Sequence, residues 1–212
     1  MNLSLRQQLL LGALLLAASG VGIRNIAQAR NEAAVGGRVR VLGAARADQA
    51  AFARLLDDLA RLDQPALRAR LEELQRQGAL WVAPGMDAGN WALYVDTFRL
   101  VRRIYIREVA LLSPEAHLFP AGDAAIPAAQ RQAFANVSLA GALFHELRHF
   151  DGIEEEAAAY DSEIAWLEAL RAAPAVMSLD EPERRAASWG IDSAVLSARK
   201  ARGLATGSRG SP

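Results

Sequence analysis

Residues 143–172 read LFHELRHFDGIEEEAAAYDSEIAWLEALRA, and two helices with a sharp break between them account for the whole stretch. Leu139, Leu143, Leu147 and Phe150 recur at three- and four-residue spacing, the stripe of a helix that buries one side. Gly152 stands where a helix C-terminus takes a glycine, so the first helix runs from just after Pro127 to about Asp151. Glu154, Glu155 and Glu156 follow at once, acids of the kind that complement a helix N-terminus, and a second helix fits Glu154–Ala172. His145 and His149 are four apart, so both imidazoles leave the same face, opposite the leucine stripe. That face carries only Ala142 and Ser138 over the two preceding turns, which leaves room for a cleft.

Two imidazoles one turn apart can reach a single ion. Glu146 lies about 100° further round the helix axis, where a carboxylate meets a metal-activated water without ligating the metal. A carboxylate added to the two imidazoles makes a set that suits one Zn²⁺ ion and leaves a fourth position open. Glu146 is then the acceptor of the water's proton, a general base. The chain has three histidines and two fall in this pattern; His117 stands alone in a loop-like stretch. Among the three acids, Glu156 shares a stripe with Tyr160, Glu163, Ile164 and Leu167, and an acid on an inward stripe needs a partner that a metal can supply.

The arrangement resembles the zincin metallopeptidases, the gluzincin type above all. There an H-E-x-x-H helix is followed by a second helix that supplies a glutamate, and Glu156-Ala-Ala-Ala-Tyr160 is similar to the E-x-x-A-Y form of that helix. The resemblance covers about residues 135–170 and has a shorter connection between the helices. It implies a zinc-dependent hydrolase of peptides or proteins, with His145, His149 and Glu156 as ligands and Glu146 as catalytic base. Gly152 and Glu155 also sit where H-E-x-x-H-x-x-G-x-x-[HD] places its glycine and third ligand, so the segment partly resembles the metzincins. Met177 would then fall at their methionine turn, although a plain core methionine fits it as well. Glu156 is the preferred third ligand and Glu155 the reserve. Tyr160 either donates to a developing oxyanion or packs in the core, and Glu163 or Asp161 is placed to orient a histidine.

Two rival readings use the same residues. Glu146-x-x-His149 also fits half of a carboxylate-bridged di-iron site, but Pro114 occupies the position before His117 that a second E-x-x-H requires. A non-catalytic envelope protein with a structural metal is the other.

Upstream of the motif the pattern changes twice. Phe52, Leu55, Leu56, Leu59 and Leu62 mark one amphipathic helix; Asp63 and Pro65 open another that carries Leu67, Leu71 and Leu74 and ends at Gly78. Ala79–Ala83 and Trp91–Asp96 are short and rich in branched and aromatic residues. The turn-forming residues 84–90 between them predict a hairpin, and Arg103–Leu112 is a third strand candidate and a possible edge for extended substrates. Trp81, Trp91 and the Gly89-Asn90 turn either line a cleft or pack. Residues 113–126 read as loop, and a last helix spans roughly residues 180–203. The expected fold is α+β and helix-rich: a small antiparallel sheet packed on the motif helix and the following helix, in the manner the zincin resemblance implies.

Charge and composition narrow the class. Lys plus Arg and Asp plus Glu are balanced at 24 each, so no nucleic-acid partner is expected. The chain has no cysteine, which excludes a disulfide framework, a thiol nucleophile and a cysteine-held metal. Leu9–Ile23 (LLLGALLLAASGVGI) carries no charge and is apolar on all faces. It suits a secretory core, with Ala27-Gln28-Ala29 placing a cut before Arg30, or an uncleaved single-pass membrane anchor; a buried N-terminal helix of the domain is the third reading. Export in a bacterial cell follows, either to the periplasm or anchored in the inner membrane facing it. The expected division is 1–29 signal peptide or anchor, 30–47 linker, 48–204 metallopeptidase-like domain and 205–212 disordered tail.

Overall fold

The computed structural model describes residues 5–97, 99–118 and 128–207, with side chains described except at 5–19, 117–118, 128–130 and 133–134. The chain is helix-rich α+β. Its elements in order are α1 (Leu5–Ala34), β1 (Arg40–Val41), α2 (Arg46–Arg61), α3 (Pro65–Arg76), β2 (Leu80–Ala83), β3 (Ala92–Thr97) and β4 (Val101–Arg107). Then follow α4 (Glu108–Leu112), α5 (Pro114–Leu118), α6 (Ala128–Phe150), α7 (Glu156–Arg171), α8 (Pro174–Met177) and α9 (Glu181–Gly207). The two amphipathic stripes of the sequence are α2 and α3, and the motif lies on α6. Asp63 does not cap α3: its φ is +53°, and Gln64 takes the N-cap position. Of the expected loop at residues 113–126, Pro114–Leu118 is helical and 119–126 lies outside the described residues.

The sheet is mixed, not antiparallel, in the order β1-β2-β4-β3. The expected hairpin between residues 79–83 and 91–96 does not form. Instead β3 makes its hairpin with β4, Thr97 opposite Val101, and β4 enters between β3 and β2, parallel to β2. The reason is burial. Ile104, Tyr105 and Ile106 are buried in succession, so β4 has two apolar faces and takes the middle of the sheet, whereas β3 is half-exposed and takes an edge. The third strand therefore ends at Arg107, with Glu108–Leu112 helical, and it lies inside the sheet, whereas β3 is an edge strand.

Alternation along the strands sorts two layers. Leu80, Val82, Ala92, Ile104 and Ile106 face α2, α3 and α6, where Phe52, Leu55, Leu71, Leu74, Leu139, Leu143 and Leu147 complete the main core. Trp81, Ala83, Leu93, Val95 and Tyr105 face the other way, against Val35 and Met86. Behind α6, the helices α7, α8 and α9 form a second apolar cluster around Leu167, Leu170, Val176 and Ile191. The motif helix is thus held between the sheet and a helical layer.

Residues 30–47, expected as a linker, are part of this packing. Arg30–Ala34 completes α1, Val35 and Leu42 are buried, and Arg40–Val41 pairs antiparallel with β2. Gly36 and Gly85 touch backbone to backbone: a Cβ on Gly36 would lie 2.3 Å from the Gly85 carbonyl oxygen. Only glycine allows that approach. Arg40 donates twice to the fully buried Asp48, through Nε and Nη2 at 2.7 Å each, and reaches Glu108 at 2.7 Å, which ties β1 to α2 and α4. Asp48→Ala is expected to cost about 2 kcal/mol in denaturant unfolding, since it removes two hydrogen bonds from a charged, partly exposed arginine that keeps Glu108. A loss below about 1 kcal/mol would mean that solvent carries this arginine.

At the C-terminus, Ala205–Gly207, expected to open a disordered tail, is instead the end of α9, and residues 208–212 lie outside the described residues. No helix among the described residues is long and apolar enough to cross a membrane.

Candidate metal centre

The leucine side of α6 is buried in the main core, which leaves His145, Glu146 and His149 turned toward a cleft of about 1010 Å³ between β3, α6 and the start of α7. Hydrogen bonds then fix how each imidazole presents itself. α6 ends in a glycine turn: Gly152 has φ +104°, and Ile153 N–H donates back to Arg148 O at 2.9 Å. That turn brings the Ile153 carbonyl to 2.6 Å from His149 Nδ1. The Nδ1 proton is committed to the carbonyl, so Nε2 keeps its lone pair. His145 Nδ1 faces Glu163 Oε2 at 3.3 Å, an ion-pair contact, and the residue lines the cleft.

The Nε2 atoms of His145 and His149 converge with Glu156. His145 Nε2 and His149 Nε2 are 3.1 Å apart; Glu156 Oε2 is 3.3 Å from the first and Oε1 is 3.5 Å from the second. One ligand atom from each of the three residues lies within 4.8 Å of the other two. The donor chemistry fits a zinc ion: bonds of about 2.0–2.1 Å in a tetrahedron set ligand atoms about 3.4 Å apart. Two imidazole nitrogens and a carboxylate at such spacing are held together either by a proton on His145 Nε2 or by a cation, and the donor set suits the cation. Glu156 is not inward-packed as its stripe predicts; its side chain is 58% exposed because it opens onto the cleft, while Glu163 and Leu167 of the same stripe are buried. Glu155 is exposed at the N-cap of α7 and outside the cluster.

Behind the cluster, the structure chooses between the two acids proposed to orient a histidine. Glu163 is buried against His145, whereas Asp161 is exposed and paired with Arg202. Gly141 makes this possible: a Cβ there would sit 3.2 Å from Glu163 Oε1. Burial drives the Glu163 carboxyl above its ordinary range, partly offset by the hydrogen bond and charge of His145. On His145 burial acts downward, but Glu163 and the charges of Glu146 and Glu156 outweigh it and raise the imidazole. Glu163→Ala is expected to weaken zinc binding by about 10- to 100-fold in a chelator competition, with Glu163→Gln losing less because its amide oxygen still accepts from Nδ1. Equal affinities for all three proteins would remove Glu163 from the site.

Glu146 is buried and accepts the Tyr94 backbone N–H at 2.6 Å. Burial lifts its carboxyl to about 7 against the opposing pull of His145 and the Tyr94 N–H, with Glu156 and Glu163 adding to the rise. A carboxylate with that proton affinity suits general-base work. Tyr160 lines the cleft, its ring 4.1 Å from that of His145, and burial together with Glu156 pushes its hydroxyl up to about 12. It therefore stays a hydrogen-bond donor at neutral pH. Met177 is exposed at the end of α8 and takes no part in the cluster, nor is it core. The His117 side chain lies outside the described residues.

Sequence reasoning missed the opposite wall. Tyr94 stacks near-parallel to His149 at 6.4 Å between ring centroids, and its hydroxyl donates to Asp96 at 3.0 Å. Arg102 reaches that hydroxyl at 3.2 Å and lies over the Phe150 ring at 4.4 Å. Arg99, in the β3–β4 turn, meets Glu154 at 3.0 Å across the cleft mouth. Asn90 lines the cleft, but Trp81 faces the outer side of the sheet. The only local signal was the polar residues scattered through β3 and β4, which name no partner.

No family model, no curated protein and no solved structure matches this chain.

Proposed function

We propose that the chain is a zinc-dependent hydrolase of peptide bonds, with His145, His149 and Glu156 holding one Zn²⁺ and Glu146 as general base. The observation that carries this reading is the triangle of two imidazole nitrogens and one carboxylate beside a buried carboxyl lifted to about 7. When bound, the ion supplies a Lewis acid that polarises a carbonyl and acidifies water.

The protein's own groups account for the rest. Glu146 takes a proton from the attacking water and returns it to the leaving amine, a shuttle suited to a carboxyl near 7. The Tyr94 N–H holds that carboxylate in place. Tyr160 donates its hydroxyl to the oxygen that gains charge in the transition state. An extended peptide can add to β3, an edge strand whose Tyr94 N–H is the one that meets Glu146.

The decisive experiment measures metal content of the purified chain together with hydrolysis of a mixed peptide substrate. About one zinc per chain and chelator-sensitive cleavage are expected; a chain that binds no zinc ends the proposal. A two-iron centre is not favoured, because among the described residues one group of three metal-ligand side chains is found, and such a centre needs more.

A further inference from the structure

The cleft leaves unexplained why α1 is so long and what its apolar half meets. α1 runs unbroken from Leu5 to Ala34, and its last third is built into the domain. Ala27, Asn31 and Val35 are buried, against β3 and β4. Asn31 donates to the Val101 carbonyl at 2.9 Å and accepts from the Thr97 hydroxyl at 2.5 Å, which joins the helix to both strands of the β3–β4 hairpin. Arg103 lies over Trp81 at 3.8 Å, with Gln28 3.4 Å and Glu32 4.0 Å away.

A cut before Arg30 would remove Ala27 and Gln28 and leave five residues of α1 over the outer face of the sheet. So short a helix does not hold without its preceding turns. The Tyr105 side, now buried, would be uncovered. Cleavage at Ala29 is thus at odds with the packing.

Toward its N-terminus the same helix changes character. Val21, Ile23 and Ile26 are 61%, 48% and 58% exposed, and Val21 and Ile23 point to nearly opposite sides. Residues 7–23 hold no charged side chain, and Arg24 is the first to follow. By sequence the run is apolar around its whole circumference, and its described apolar side chains Val21, Ile23 and Ile26 are exposed, a surface matched to hydrocarbon. Fifteen apolar residues make about 22 Å of helix, less than the ~30 Å hydrocarbon core, so the fit is to insertion with Arg24 at the interface.

We propose that α1 is retained in the mature protein and inserts its apolar run into a lipid bilayer, while its C-terminal third serves as the outer layer of the sheet. That third packs on β3, the strand that walls the cleft, so the helix that carries the anchor is also part of the cleft's support. This holds independently of the chemistry at His145.

The test uses the full chain with a C-terminal tag, expressed in bacteria. Its intact mass should include residues 2–29, and it should float with vesicles of phosphatidylethanolamine and phosphatidylglycerol. The double variant Leu11→Glu/Leu15→Glu should lose at least ~10-fold in flotation with an unchanged unfolding midpoint. Val21→Ser/Ile23→Ser, at exposed positions, should lose several-fold. A mature N-terminus at Arg30 overturns the proposal, as does a full-length chain that stays at the bottom of the gradient. A lipid-free dimer that does not float would also overturn it and give the apolar face to a second copy.

Discussion

Glu146→Gln is expected to lower kcat/KM for peptide hydrolysis by about 10³-fold while the protein keeps its zinc and its unfolding midpoint. The expectation follows from where the carboxylate sits. It is buried, it is not one of the three converging ligand atoms, and it is fixed by the Tyr94 N–H at 2.6 Å. A glutamine amide oxygen still accepts that hydrogen bond, so the local fold has no reason to change. What it cannot do is take a proton. Loss of zinc in this variant would mean that Glu146 is itself a ligand, and unchanged kcat/KM would end its role as base.

Glu156→Ala is expected to weaken zinc binding more than the ~10- to 100-fold typical of outer-shell partners, while Glu155→Ala leaves it within about twofold. Both acids are exposed and adjacent, so charge alone does not distinguish them. Geometry does: each histidine Nε2 faces a different oxygen of Glu156, at 3.3 and 3.5 Å, and Glu155 is outside the cluster at the N-cap. Removing Glu156 leaves two imidazoles 3.1 Å apart, a weaker bidentate site. The measurement is chelator competition on the full chain. The opposite ranking of the two variants would hand the ligand role to Glu155, as the metzincin-like alignment has it.

The two predictions separate chemistry from binding. One removes a proton acceptor and keeps the ion; the other removes the ion and leaves the acceptor, so a mixed outcome identifies which part of the assignment fails.

Much of this was legible in the linear chain because helices are periodic and local. Spacing of four placed His145 and His149 on one face, the leucine stripe said which face, and Gly152 ended α6 where the structure ends it. A short connection kept Glu156 near. The class, helix-rich α+β, followed from the same periods. What failed were the pairings that depend on distant residues. The neighbouring strands at 79–83 and 91–96 looked like a hairpin because turn residues separate them, yet β4 lies between them, since its two apolar faces need cover on both sides. Residues 30–47 looked like a linker because glycine and arginine dominate. Their reasons for order, Arg40 on Asp48 and Gly36 against Gly85, lie 8 and about 50 residues along the chain.

The sequence alone determined the helices, the side of α6 that presents two imidazoles and the Glu146 carboxylate, and the short list of acids that can join them. Each of these depends on residues within one or two helical turns, where backbone geometry leaves little freedom. The tertiary structure decided which acid converges, that Glu163 and not Asp161 backs His145, and that Tyr94 of an edge strand holds Glu146. It also decided that α1 is a layer of the fold. All of these are contacts between elements, set by which apolar faces find cover, and no local spacing encodes them.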